Sequence, residues 1–253
     1  MLLSDQPVGV RTPPRRARRS SLAVVLALVM AVGVVVGFGY EVPEYIIYPT
    51  VVRPMILWVH SLAMLAWVGL FLTQALFVRR GLVHLHRRLG LFGIALAIIL
   101  PPLMVMVSYT MDQFNHATFP GSDRLFLPFV VVQVNAILAF TALAWIGLAL
   151  RRRSELHRRL MLLAAAVVMD APFSRIPVWL GPPGTQVGGV WAFVAVDLLI
   201  GVAVFFDWRR IGRIHRVWWY ALPPVLIGQG FSVFILVVQP QWWNVFWAKV
   251  LGF

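Results

Sequence analysis

Six histidines and no cysteine bound what this 253-residue chain can do. Without thiols, disulfides, thiolate metal sites, iron–sulfur clusters and cysteine nucleophiles are excluded, and a metal or haem would rest on His, Met or carboxylate. His86, His157 and His215 each stand at the mouth of an apolar run, and Asp207 ends another such run. Three imidazoles and a carboxylate are a metal-like set, because nitrogens about 2.0 Å from an ion can close a zinc or iron site. Arginines flank each of these histidines, which repels a cation and points instead to anionic lipid phosphates in the inner leaflet. Arg87, Arg88, Arg158 and Arg159 are the expected head-group contacts. A haem held by two histidines needs them on different helices at one depth. His60 is the histidine clearly inside an apolar run, so a haem b site would pair it with His116, or pair His86 with His157. His84 and His116 read as loop residues.

A second polar set lies deeper. Helices rise about 1.5 Å per residue through a hydrocarbon core about 30 Å thick. On that scale Asp170 and Asp197 fall near mid-depth, and His60, Gln133, Asn135, Arg175 and Gln229 lie outward of it. An ionised side chain at the bilayer centre costs at least about 2.5–3.5 kcal/mol, so these groups should face the bundle interior and have partners. Asp170 and Arg175 are five residues apart, about 140° around a helix, so a direct pair needs a kink at Pro172 or a long reach. Asp197 is the alternative partner for Arg175.

The elements that must position these residues are apolar runs of about twenty residues, the length of a membrane span. They read as Leu22 to Tyr40, Met55 to Val78, Leu89 to Thr110, Phe126 to Leu150, Leu160 to Leu180, Val190 to Phe206 and Val217 to Val238. The fold class is therefore all-α, a polytopic bundle of about seven transmembrane helices. Charged residues are 12% of the chain and mean hydropathy is +0.84, against about 25% charged in soluble domains. Arg11, Arg15, Arg16, Arg18 and Arg19 precede the first run, and further arginines sit at every second boundary (Arg79 to Arg88, Arg151 to Arg159, Arg209 to Arg216). Eighteen of the 22 basic residues thus share one side, which places the N-terminus in the cytoplasm and the C-terminus outside. The net charge of +13 is clustered at span ends with no basic groove, which excludes nucleic-acid binding. Residues 1–21 form a basic cytoplasmic tail, 22–238 the transmembrane domain and 239–253 an interfacial segment. The first run is a retained helix, not a cleaved signal. Trp242, Trp243, Phe246 and Trp247 suit a short helix at the outer interface.

Prolines inside spans (Pro101 and Pro102, Pro172 and Pro177, Pro223 and Pro224) each free a backbone carbonyl that needs another partner, and predict kinks in the third, fifth and seventh spans. Leu85-His86-Arg87-Arg88-Leu89 recurs as Leu156-His157-Arg158-Arg159-Leu160, 71 residues on, and Ala66-Trp67-Val68-Gly69-Leu70 is echoed by Ala144-Trp145-Ile146-Gly147-Leu148. Both copies share one orientation, the pattern of a duplicated helical hairpin.

His60, Gln74, Leu-His-Arg-Arg-Leu-Gly at 85–90, His-Arg-Arg-Leu-Met at 157–161, Arg175, Asp197, Asp207 and Gly212-Arg213-Ile214-His215 together carry a likeness. Over residues 55–216 the chain resembles a family of uncharacterised bacterial multi-pass membrane proteins. The resemblance implies a bacterial inner-membrane location and a shared architecture, and no reaction.

Retinal chemistry needs a lysine in the last span, and the only lysine is Lys249, beyond it. Membrane zinc hydrolases need histidines within the late helices, and the seventh span has none in its interior. No phosphate loop or Ser–His–Asp arrangement is visible. Three readings stay open: a haem- or quinone-associated redox or respiratory-assembly protein, a small-solute or proton transporter using the outer polar pocket, and a structural membrane component. The six histidines favour the first.

Overall fold

The computed structural model describes residues 21–39, 41–176 and 187–253. The N-terminal arginines Arg11 to Arg19, Pro177 and the end of the fifth run at Leu180 lie outside the described residues. The described chain is helical, without a strand: α1 Leu22–Gly39, a π-helical turn Pro43–Ile47, α2 Met55–Arg80, α3 Val83–Thr118, α4 Asp123–Ala149, α5 Ser154–Val167, α6 Asp170–Arg175, α7 Val187–Ile211, α8 Arg216–Val238 and α9 Gln241–Leu251. Among the described residues, six helices (α1, α2, α3, α4, α7 and α8) are long and apolar enough to cross a membrane. The chain is a multi-pass membrane protein.

The fifth apolar run departs from expectation, because it is divided into α5 and α6 at Val168 and Met169. Its chemistry explains the break. Pro172 has no N–H to give the Val168 carbonyl, and the Ala171 N–H turns to its neighbour's side chain, donating to Asp170 Oδ1 at 2.7 Å. Two consecutive helical hydrogen bonds are thus lost in one turn. The helix resumes with Phe173 N–H donating to the Met169 carbonyl at 3.0 Å.

α5 is the axis of the molecule. It packs against α2, α4, α7 and α8, and Leu162 to Val167 are all buried. Lipid would accept these apolar residues as readily as protein does, and it is the small side chains at 164–166 that let its neighbours approach closely. α6 is instead held by α1 and α7. Gly33 and Gly37 of α1, one turn apart, face α6: a Cβ on Gly33 would collide with the Phe173 ring, and one on Gly37 with the Pro172 carbonyl. Small residues four apart permit this approach where lipid supplies no hydrophobic drive between helices.

α3 is longer than its apolar run, reaching Thr118, so His116 lies in its last turn and not in a loop. Pro101 frees the Ala97 carbonyl of α3, and the Trp145 indole of α4 fills the gap, donating to it at 2.8 Å. α9 folds back on α3 and α4. Its Trp243 indole donates to the Leu127 carbonyl at 2.9 Å, and Gln113 of α3 donates to the Leu251 carbonyl.

The α1–α6 contact yields a direct test. Gly37→Ala forces a methyl into the Pro172 backbone, and such overpacking should cost about 1–3 kcal/mol, seen as a lower unfolding midpoint in mild detergent. Gly39→Ala, whose Cβ meets nothing within 4 Å, should leave the midpoint nearly unchanged.

Candidate functional site

At the arginine-rich end the second Leu-His-Arg-Arg-Leu copy opens α5 and builds a charged clasp. Arg159 is only 3% exposed, and its fork meets Asp207 of α7 through Nε to Oδ2 and Nη2 to Oδ1, both at 2.7 Å. Its Nη1 donates to Glu155 twice, to the carbonyl at 2.5 Å and to Oε2 at 2.8 Å. The Trp218 indole of α8 donates to Asp207 Oδ2 at 3.0 Å. Arg158 reaches the same two carboxylates, Glu155 at 2.7 Å and Asp207 at 3.4 Å. The parallel fork is the strong form of the arginine–carboxylate contact. This corrects the expectation of Arg159 as a lipid head-group contact, since its guanidinium is enclosed and its donors are taken. Arg87 and Arg88 are exposed, as that role requires. Hydrogen bonding from Arg159 holds the Glu155 carboxyl below its ordinary value of 4.5.

The clasp also dissolves the four-member metal set. Asp207 is committed to Arg159 and Trp218, and His215 caps α8 by accepting from the Val217 N–H at 3.2 Å. Among the described residues no group of three or more His, Asp or Glu is placed to hold a metal. What survives is a pair. The His86 and His157 rings lie with centroids 6.4 Å apart and planes 73° to each other. His157 Nδ1 bonds the Gly147 carbonyl at 2.8 Å, while His86 Nδ1 is buried with no partner. Gln74 of α2 donates to the His86 carbonyl at 3.2 Å and leaves its own Oε1 buried and unpaired. The other proposed haem pair is not brought together: His60 Nδ1 is buried and unpaired, while His116 bonds Asp123 at 2.8 Å and stacks on Phe253 at 3.8 Å.

Several of the deep polar residues have partners at different helix interfaces. Arg175 does not pair with Asp170 or Asp197. Its Nε donates to Glu41 at 2.8 Å, its Nη1 to the Ala171 carbonyl at 2.6 Å, and it sits 4.6 Å over the Phe38 ring. Asp170 is buried at the start of α6, its Oδ1 taken by the Ala171 N–H. Gln133 of α4 donates to the buried Asp112 of α3 at 3.3 Å, a partner not found from sequence. Asn135 packs on Gly228 of α8, where a Cβ would strike its amide oxygen. Gln229, the next residue, is buried with its Oε1 unpartnered, as is Oδ1 of Asp197 on α7.

Two tests address the clasp. Asp207→Ala leaves the enclosed Arg159 with only the exposed Glu155 as counter-ion and should cost about 3 kcal/mol, whereas an Arg159→Met, Asp207→Leu double variant should recover most of that loss. Thermal unfolding in detergent reads both, with Arg87→Ala as the exposed control. Because the fold lowers the Glu155 value, its contribution is full above pH 4.5 and is lost as pH falls through the lowered value. Wild-type protein should therefore lose more of its midpoint between pH 5 and 3 than Glu155→Gln does. Equal losses would show that Glu155 adds nothing to the clasp.

No family model, curated protein or solved structure matches the chain.

Proposed function

We propose that the chain is a redox-associated protein of the bacterial inner membrane in which His86 and His157 hold a metal between them, as the two axial ligands of a haem b iron. The observation that carries this reading is the spacing of the two rings. Nitrogens each about 2.0 Å from one metal on opposite sides are about 4 Å apart, and each ring centre lies roughly 1 Å behind its nitrogen. The sum is close to the 6.4 Å between the His86 and His157 centroids. Ring planes may take any angle about that axis, so 73° is compatible.

The surroundings suit the role. A ligating histidine usually donates its other ring N–H to a carbonyl or carboxylate, which fixes its tautomer and orientation. The Nδ1 of His157 has that partner in the Gly147 carbonyl, leaving Nε2 free for a metal. His86 comes from the other Leu-His-Arg-Arg-Leu copy, so a duplicated hairpin supplies one ligand from each half. Arg87 and Arg88, exposed beside it, offer charge for the carboxylates of a porphyrin. The run of arginines at this end supports a cytoplasmic position for the site.

The test is spectroscopic. Protein purified in mild detergent and titrated with haem b should gain a stoichiometric Soret band with a low-spin, bis-imidazole spectrum. His86→Ala and His157→Ala should each abolish that spectrum, and His60→Ala should keep it. A protein that gains no band, or keeps it in both variants, overturns the reading. Copper or zinc retained at one per chain and lost in the same variants would assign the pair to a free ion and not to haem.

A further inference from the structure

Between α7 and α8 runs a groove of about 380 Å³, lined by Ile200, Gly201, Val204, Phe205, Leu222 and Leu226, with Asp197 at one end and Trp208 near the other. Its size lies within the usual range for ligand sites, about 300–1,000 Å³. Gly201 and Phe205 also line a second apolar recess on the outer face of α7, again with Asp197. Both recesses are open at the side of the bundle, toward lipid. From Asp197 to Trp208 the helix rises about 16 Å, a length suited to a chain-bearing molecule lying along α7.

The polar end is incomplete in a specific way. Asp197 Oδ1 is buried and has no hydrogen-bond partner among the described residues, and the same holds for Oε1 of Gln229, itself only 6% exposed. Gln229 is not among the residues that line the groove, so Asp197 is the acceptor that the groove presents. In hydrocarbon an unmet polar group costs several kcal/mol, so such a site is completed by something that brings N–H or O–H groups. Water would have to cross the apolar groove. A lipid-soluble molecule with donors on its head would not.

We propose that the α7–α8 groove binds a lipid-soluble hydroquinone, its head donating to Asp197 and its tail lying along Val204, Phe205 and Leu226. The need for donors separates the two redox forms: a hydroquinone has two O–H donors, and the oxidised quinone has only acceptors. The reduced form is therefore the ligand. The site is distinct from the His86–His157 pair and does not depend on it.

Wild-type protein in mild detergent, kept anaerobic, is titrated calorimetrically with a short-chain ubiquinol and with the corresponding quinone. The reduced form should bind at least about tenfold more tightly, the equivalent of one good hydrogen bond. Asp197→Leu should remove that preference. Gly201→Leu fills the groove from a position whose Cβ meets nothing within 4 Å, so it should fold and lose both ligands. His86→Ala should bind the quinol as wild type does, which separates this site from the imidazole pair. Equal binding of the two redox forms, binding unchanged in Gly201→Leu, or tighter binding of diacylglycerol than of the quinol would each overturn the assignment. So would a wild-type dimer that Gly201→Leu dissociates and that binds no quinol, since the groove would then be covered by a second copy.

Discussion

A guanidinium enclosed among apolar helices needs partners for its donors, and Arg159 finds four acceptor contacts at a point where three helices meet. Asp207 comes from α7, Trp218 from α8 and Glu155 from the first turn of α5 itself. Above that point α5 is apolar and, apart from the half-buried Met161, enclosed, so the clasp sets the height at which the central helix starts and the rotation at which it faces its neighbours. Packing of small side chains alone specifies neither, because alanines at 164–166 would fit at several registers. The clasp also decides what its neighbours are free to do. With Asp207 occupied and His215 turned to cap α8, the members of the metal-like set left for a ligand are His86 and His157.

The two Leu-His-Arg-Arg-Leu copies show how far such an interaction can be read from sequence. Their five residues are identical, yet Arg159 is enclosed and Arg88 is exposed. The difference lies in what stands opposite: Asp207 faces the second copy, and the first has no carboxylate across from it among the described residues. A motif records what a segment offers and not what it meets. The helical class and the apolar spans were legible because periodicity and hydropathy are properties of a segment. The clasp was not, because Arg159 and Asp207 are separated by 48 positions and by a helix whose break could not be placed.

Depth, the other guide available from sequence, sorts residues into layers and says nothing about direction around a helix. Asp170, Arg175 and Gln133 were grouped with Asp197 and Gln229 by height, and the structure gives the first three different partners. Asp170 turns inward at the α5–α6 break, and Arg175 turns to α1 and finds Glu41, which the sequence put at a span end. Asp112 was missed because its segment looked like a loop. Once α3 continues to Thr118, the carboxylate comes to face α4 and Gln133. In each case the missing quantity was the partner helix and its rotation. Where a pair was recoverable, as with Trp145 and the Ala97 carbonyl, proline chemistry had already declared an acceptor to be free.

α7 carries both carboxylates that matter most, and they have opposite fates. Asp207 is saturated by a guanidinium and an indole, which is what a structural anion needs in a dry interior. Asp197, ten residues earlier and about 15 Å along the same helix, has an unmet oxygen beside an apolar groove. A bundle held together only by polar contacts would have no reason to leave that acceptor open, since a serine or threonine on α8 could close it at little cost. An alanine at 197 would remove it altogether. The same reasoning applies at the other end to His86, whose buried Nδ1 is unmet while its counterpart on His157 is fixed. Saturated groups account for how this protein stands in the membrane. The unsaturated ones mark where it meets something else.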